Sequence, residues 1–390
     1  MKTILTAIII MASAVPLMAQ QPISLDGAVS KALRDYPSIR ASRLQSRSAE
    51  ALSKSVSAFG DLELSGGGEE IGHDNDAVYT LARLRQNLDP FGASAMRRRL
   101  KAQAAVNEAE TAVLQRDLTR QVCIDYVNDY AALLRYRNML MMDSLYADFS
   151  EVAHQRYETQ AISLLEYQTA LNRSQQVRLA LVEARKDLTM AHLNLSRWLS
   201  ADTIYMAEAV DDSLDVSVLL PQSQHPSVAL GQHAVSLSQA EIKEAKAQRL
   251  PKFFVEAGTQ RIAGRNGFYA WQVGLSIPIA FGAGKASVKA AQISAERAAA
   301  DVEATRRRLD SRQATLRAEY DKCRESTAYY RQHALPLARQ QRAMASVSYR
   351  EGSIGYLDFI QIANDALTTE MNYVETYTNL LETKYNLLFY

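Results

Sequence analysis

YETQAISLLEY, residues Tyr157–Tyr167, returns 192 positions later as YREGSIGYLDF, residues Tyr349–Phe359. Tyr157, Ile162, Leu165, Glu166 and Tyr167 are matched in kind by Tyr349, Ile354, Leu357, Asp358 and Phe359. Two further landmarks recur in the same order. Tyr36-Pro37-Ser38-Ile39 returns as His225-Pro226-Ser227-Val228 at an offset of 189, and Pro90-Phe91-Gly92 as Ala280-Phe281-Gly282 at an offset of 190. A period of about 190 residues is far longer than a solenoid unit, so the chain is a duplicated half and not an array.

Outward from these two stretches the sequence is helical. Between Gly92 and Pro221 there is neither glycine nor proline, and after Gly284 the next breaker is Pro336. Such stretches, rich in Ala, Leu, Gln, Glu and Arg, favour helix. Their apolar residues recur every three or four positions, as in Val122, Tyr126, Tyr130, Leu133 and in Val177, Leu181, Ala184, Leu188, which marks a coiled-coil-like seam. The spacing predicts helices over Leu25–Ala58, Ala93–Thr159, Leu164–Leu199, Ser227–Arg249, Lys285–Glu351 and Tyr356–Tyr390. The two longest each span about 100 Å at about 1.5 Å per residue.

Each half also carries two strand-like segments between its first helix and its long helix. Tyr269, Trp271, Val273, Leu275 and Ile277 alternate with Ala270, Gln272, Gly274 and Ser276, the period of a strand with one apolar face. Phe253-Phe254-Val255 is its expected partner, across a connection holding Gly258, Gly264 and Gly267. In the first half Leu62 and Leu64 alternate with polar residues, Gly66-Gly67-Gly68 reads as a break, and Tyr79–Leu88 as the second strand. There Arg83 and Arg85 share the parity of Tyr79 and Leu81, so either a bulge or a strand that leaves the membrane at Arg83 is expected.

The composition narrows the function. The chain has 390 residues, with 44 Lys+Arg against 43 Asp+Glu and 47% hydrophobic residues. Those are globular values with no global electrostatic case for nucleic acid. Two cysteines exclude a disulfide scaffold and a four-cysteine metal site, and the six histidines show no metal-ligand spacing. They read as surface or capping residues. No phosphate-cradling loop or nucleophilic triad appears, so the sequence predicts no enzyme, no cofactor and no metal site. Lys2, the apolar run Ile4–Val15 and Ala19 before Gln20 read as a signal peptide over residues 1–19. The expected organisation is then a first repeat over 20–199, an acidic connector over 200–224 with Asp202, Asp211, Asp212 and Asp215, and a second repeat over 225–390.

The ordered set resembles the TolC-type outer-membrane efflux factors over the whole mature chain. The resemblance rests on the signal peptide, the duplicated helix–strand–strand–long helix–helix order, the Phe-Gly junctions and the Tyr349, Gly352, Asp358 motif. It implies a mainly α fold with a small β part: a trimeric α-helical periplasmic barrel with a shared twelve-stranded outer-membrane β-barrel. Four strand segments cannot close a membrane barrel alone, and open edges in lipid are forbidden, so spanning strands require oligomerisation.

The implied function is a passive exit duct of a tripartite efflux or type-I-like secretion system. Its implied setting is the outer membrane of a Gram-negative bacterium, with the helical part in the periplasm. The implied partners are two further copies in a homotrimer, a periplasmic adaptor protein, an inner-membrane pump and outer-membrane lipid, with no nucleic acid. By the same resemblance Gln160, Ser163, Gly352 and Gly355 form the tip turns, and Glu166, Asp358, Gln361 and Tyr349 the pore constriction. Some members carry a second Asp and an Arg where this chain has Gln361 and Ile354, so their salt-bridge lock does not carry over. Tyr79, Phe253, Tyr269 and Trp271 are candidates for a lipid-facing band, aromatic rings being favoured at bilayer interfaces. The alternatives are a periplasmic coiled-coil adaptor, which would show one helical hairpin inside β-rich flanks, and a structural envelope protein without conductance.

Overall fold

A computed structural model describes residues 20–69, 78–199, 202–210, 225–278 and 282–390. The expected signal peptide over residues 1–19 lies outside them, as do Asp211, Asp212 and Asp215 of the expected connector, His73, and Phe281 of the second Phe-Gly junction. In chain order the elements are β1 (Gln20–Ile23), α1 (Leu25–Asp35), α2 (Pro37–Ser55), β2 (Phe59–Glu69), β3 (Val78–Leu88), α3 (Pro90–Glu158) and α4 (Leu164–Ser196). Then come β4 (Ile204–Ala207), α5 (Pro226–Ala247), β5 (Lys252–Ile262), β6 (Arg265–Ser276), α6 (Ala283–Tyr329), a π turn (Tyr330–Ala334), α7 (Leu335–Arg350) and α8 (Tyr356–Phe389).

Two compact units cut across the two sequence halves. The first comprises Met1–Tyr36, Asp117–Leu219 and Ala314–Tyr390; the second comprises Pro37–Arg116 and Leu220–Gln313. Each half therefore contributes to both units. In the first unit β1 pairs with β4 in parallel, so part of the expected acidic connector is a strand. Asp129, on α3, accepts the Ala207 N–H at 2.7 Å, and the Tyr126 hydroxyl donates to the Ile23 carbonyl at 3.0 Å. Two clusters of the first-unit core lie among the described residues. Cys123, Val127, Tyr377, Leu381 and Tyr385 form one, where burial pushes the Cys123 thiol up to about 12. The other, around Phe149 and Phe359, is described below.

Three expectations about helices need correcting, and each has a local cause. The helix expected over Leu25–Ala58 is two helices, because Pro37 forces Tyr36 out of the helical region (φ −69, ψ 124). Its repeat counterpart His225-Pro226 starts α5 in the same way, with His225 accepting from Ser227 N at 3.1 Å. The helix expected over Lys285–Glu351 contains the π turn. Pro336 has no N–H to continue the ladder, and the widened turn carries the chain past it, with Leu335 N bonded to the Tyr330 carbonyl. The helix expected to Leu199 ends at Ser196, whose hydroxyl accepts from Tyr205 N at 2.8 Å. Of the histidines expected as surface or capping residues, His192 is instead buried against Asp129 at 2.5 Å.

The second unit holds the sheet, antiparallel in the order β2-β3-β5-β6. The Gly66–Gly68 stretch, expected as a break, lies within β2, and Gly258, expected in a connection, lies within β5. Gly66 packs flat against the partner strand: a Cβ there would stand 3.3 Å from the Thr80 carbonyl oxygen. Opposite it β3 carries a bulge, the first of the two alternatives, with Thr80 pairing Gln260 and Ala82 pairing Thr259, so that Leu81 is the extra residue. The bulge reverses the alternation. Tyr79, Leu81, Leu84, Leu62 and Leu64 are exposed, whereas Arg83 and Arg85 turn to the other face. There Arg83 pairs with Glu256 at 3.1 Å and the Arg85 guanidinium lies 4.1 Å from the Phe254 ring centroid.

Strand-to-helix junctions anchor the sheet. Asp89 accepts from Gly92 N at 2.8 Å at the start of α3 and pairs with Lys252 at 3.1 Å. Arg97 and Arg99, early in α3, are both engaged. Arg97 donates to the Val56 carbonyl, and Arg99 pairs with Glu244 at 2.6 Å.

Candidate functional site

The turn joining α3 to α4 begins where Gln160 adopts a left-handed conformation, φ +60. Ser163 then caps α4: its hydroxyl accepts from Glu166 N at 3.2 Å, and the Glu166 carboxylate accepts from Ser163 N at 3.3 Å. This reciprocal capping box satisfies two of the N–H groups that a helix start leaves open. The turn joining α7 to α8 has Gly352 at φ +76 and Gly355 at the cap, with no side-chain bond. Asp358 lies in the first turn of α8, exposed, where negative charge suits the helix dipole. Gln361 follows, also exposed. All four expected tip-turn residues thus occupy turn or cap positions.

Tyr349 does not stand with the exposed carboxylates. It is 3% exposed, and its ring packs 4.6 Å from Phe149 and 5.2 Å from Phe359, centroid to centroid. Phe149 and Phe359 stack at 4.4 Å, Tyr356 stacks on Phe149 at 5.8 Å, and Tyr146 meets both phenylalanines edge-on. Burial holds the Tyr349 hydroxyl above its ordinary pKa; Arg156 opposes this and Glu166 adds to it. Burial likewise raises Tyr146 and Tyr356. Tyr349 is therefore a core residue.

Several residues at this end escaped the sequence reading. Arg156 donates to the Tyr349 carbonyl at 3.3 Å, and its guanidinium lies 5.2 Å from the Tyr349 ring centroid. Arg350 reaches Asp148, and Asn364 accepts from both the Tyr146 hydroxyl and Arg173. Phe149 and Tyr146 carried a signal, being aromatic residues at seam spacing. Arg156 carried none, since an arginine at a helix end is ordinarily solvated.

The second candidate region is the apolar face of the sheet. Cross-strand pairing puts Phe253 opposite Leu275, Val255 opposite Val273, Ala257 opposite Trp271 and Thr259 opposite Tyr269. Directly opposed residues share a face, so these side chains form one apolar surface. Trp271 is 81% and Tyr269 82% exposed, while Tyr79 at 40% and Phe253 at 38% flank them. The opposite face carries Glu63, Arg83, Arg85, Glu256 and Gln272. Among the described residues, strands β2 and β6 each pair on one side only. Among the described residues no helix is long and apolar enough to cross a membrane, and no group of three His, Cys, Asp or Glu could hold a metal ion.

Comparison with known proteins gives the context. Residues 221–389 match the family model described as outer membrane efflux protein. The fold is similar to that of a membrane protein from Pseudomonas aeruginosa at 18% identity and TM-score 0.80, covering 94% of this chain and 91% of that one. It is also similar to the outer membrane protein VceC from Vibrio cholerae at 15% identity and TM-score 0.74, covering 93% and 94%. The MtrE outer membrane channel of Neisseria gonorrhoeae, in its open state, matches at 16% identity and TM-score 0.68, covering 94% and 88%. No curated protein matches the chain in sequence.

Proposed function

We propose, from the match of residues 221–389 to the outer membrane efflux protein family, that this chain is a channel of that family and the passive exit duct of a tripartite efflux or type-I-like secretion system. Three copies each give β2, β3, β5 and β6 to one twelve-stranded barrel in the outer membrane, and the helical hairpins lie in the periplasm. A periplasmic adaptor and an inner-membrane pump complete the path, since the sequence holds no phosphate-cradling loop to drive transport itself. The two repeats, 20–199 and 225–390, joined through 200–224, are the duplicated halves of each wall segment.

One observation carries this reading: a four-stranded sheet with an apolar exposed face, a polar opposite face and, among the described residues, two unpaired edges. Such a sheet in water would aggregate, and in lipid its edges must be closed by other copies. Tyr79, Phe253, Tyr269 and Trp271 then meet lipid, and Glu63, Arg83 and Glu256 line the lumen.

The tip turns at Gln160, Ser163, Gly352 and Gly355 close the far end, where Glu166, Asp358 and Gln361 from three chains ring the constriction. A ring of carboxylates favours cations. Single-channel recording under a salt gradient tests this. Wild type should show a cation-selective reversal potential, and Glu166→Gln with Asp358→Asn together should bring it to near zero. An unchanged potential would reduce both carboxylates to helix-start residues. Release of the protein by osmotic shock without detergent would overturn the channel reading itself.

A further inference from the structure

We propose that the cavity between α6 and α8 is a binding site for a small organic anion bearing a phosphate or carboxylate group. The cavity, about 270 Å³, is lined by Tyr320, Arg324, Thr327 and Arg331 on one side and by Leu380 and Lys384 on the other. Three cationic side chains thus face one space, and no carboxylate lines it among the described residues. Positions that face a partner helix along a two-helix seam are ordinarily apolar. Here, at spacings of three and four, they are Tyr, Arg, Thr and Arg, and the seam opens instead of closing.

The walls are built, not frayed. Arg331 belongs to the π turn, and widened turns of this kind concentrate at functional positions. Its guanidinium donates to the Tyr373 hydroxyl at 3.4 Å and lies 5.7 Å from the Tyr377 ring centroid, so aromatic side chains hold it at the cavity. Lys384 is 3% exposed. Both keep contacts of their own within the protein, so a ligand would add to walls already in place. Arg324 pairs with Asp321 at 3.2 Å on the exposed side of the same helix, where water screens the pair.

The repeat supplies an internal control. The offset of 192 that relates Glu166 to Asp358 along the return helices also relates His192 to Lys384. In the first half the Asp129 carboxylate fills the place beside buried His192. In the second half the corresponding buried base borders an open cavity with cationic walls. Guanidinium groups bind phosphate and carboxylate oxygens in pairs, and Leu380 gives an apolar wall for the rest of the molecule.

Isothermal titration of the purified protein in lipid nanodiscs with phenyl phosphate, inorganic phosphate and phenol tests the proposal. Phenyl phosphate should bind saturably, one per chain, and more tightly than inorganic phosphate, while phenol should not bind. Arg324→Gln with Arg331→Gln should weaken phenyl phosphate binding more than tenfold. Arg324→Gln alone, at an exposed position, should weaken it about threefold with an unchanged melting temperature. The site is overturned by any of three results: no saturable phenyl phosphate binding, equal binding of phenol or inorganic phosphate, or unchanged affinity in Arg324→Gln.

Discussion

At the turn after α3 the left-handed residue is Gln160 and the cap is Ser163; at the turn after α7 the corresponding residues, 192 positions on, are Gly352 and Gly355. The backbone device is the same in both, down to the sign of φ. The side chains that hold it differ. The first turn accepts a strained glutamine and ties itself shut with the Ser163–Glu166 capping box. The second relaxes the strain with glycine and leaves its cap without a side chain, so Asp358 makes no bond to the cap backbone. Duplication preserved the shape while the two carboxylates diverged in employment: Glu166 serves a helix start and Asp358 is left to the surface.

The largest predicted effect comes from what the turns share. Phe149 packs on Phe359, Tyr349 and Tyr356. Phe149→Ala removes the ring at the centre of this buried cluster and should lower unfolding free energy by about 3–5 kcal/mol. Hydrogen exchange should accelerate in both hairpin ends alike. If only one end loosened, the two turns would not rest on a common core and the comparison above would fail.

Next in size is the glycine. At φ +76 any side chain meets its own backbone, so Gly352→Ala should cost about 1 kcal/mol, read from the shift in melting temperature. Gln160→Gly relieves the same strain but adds unfolded-state entropy, and should fall within about 0.5 kcal/mol of wild type. A loss above about 1 kcal/mol in Gln160→Gly would show that the glutamine side chain, and not the backbone, holds the first turn. Ser163→Ala deletes half of the capping box and should cost about 1 kcal/mol, with faster exchange at the Glu166 amide.

The sequence made the equivalence of these turns legible, because identity in kind at one offset survives where the helices around it drift. It also made the apolar face of β6 legible, through strict alternation. The bulge in β3 was legible as a conflict: Arg83 and Arg85 could not share a face with Tyr79, and one inserted residue, Leu81, resolves it. What stayed hidden depended on partners far along the chain. Tyr349 reads as a polar-tipped residue beside a turn, yet it is buried because Phe149, on a helix about 200 residues earlier in the chain, closes over it. The π turn was hidden in another way: Pro336 announced a disturbance, but a proline alone does not say whether a helix breaks, kinks or widens. The cavity at Arg324 and Lys384 needed two helices set side by side before its charges could be seen to converge.

The smallest effect is also the sharpest test of the divergence between the turns. Gly355→Ser would place a hydroxyl at the cap of α8, three residues before Asp358, reproducing the spacing of Ser163 and Glu166. Serine exceeds glycine at a cap by only a few tenths of a kcal/mol, so the gain in stability should be of that order. The consequence for charge is larger than the consequence for stability. If the new cap draws the Asp358 carboxylate onto its own backbone N–H, the second turn becomes a copy of the first and the carboxylate is withdrawn from the surface. The reversal potential of the channel should then move part of the way toward that of Asp358→Asn, while the melting temperature rises slightly. A stability gain with no change in reversal potential would mean that capping does not compete with the proposed carboxylate ring. In that case Glu166, capped in the wild type, would be as available to passing cations as Asp358.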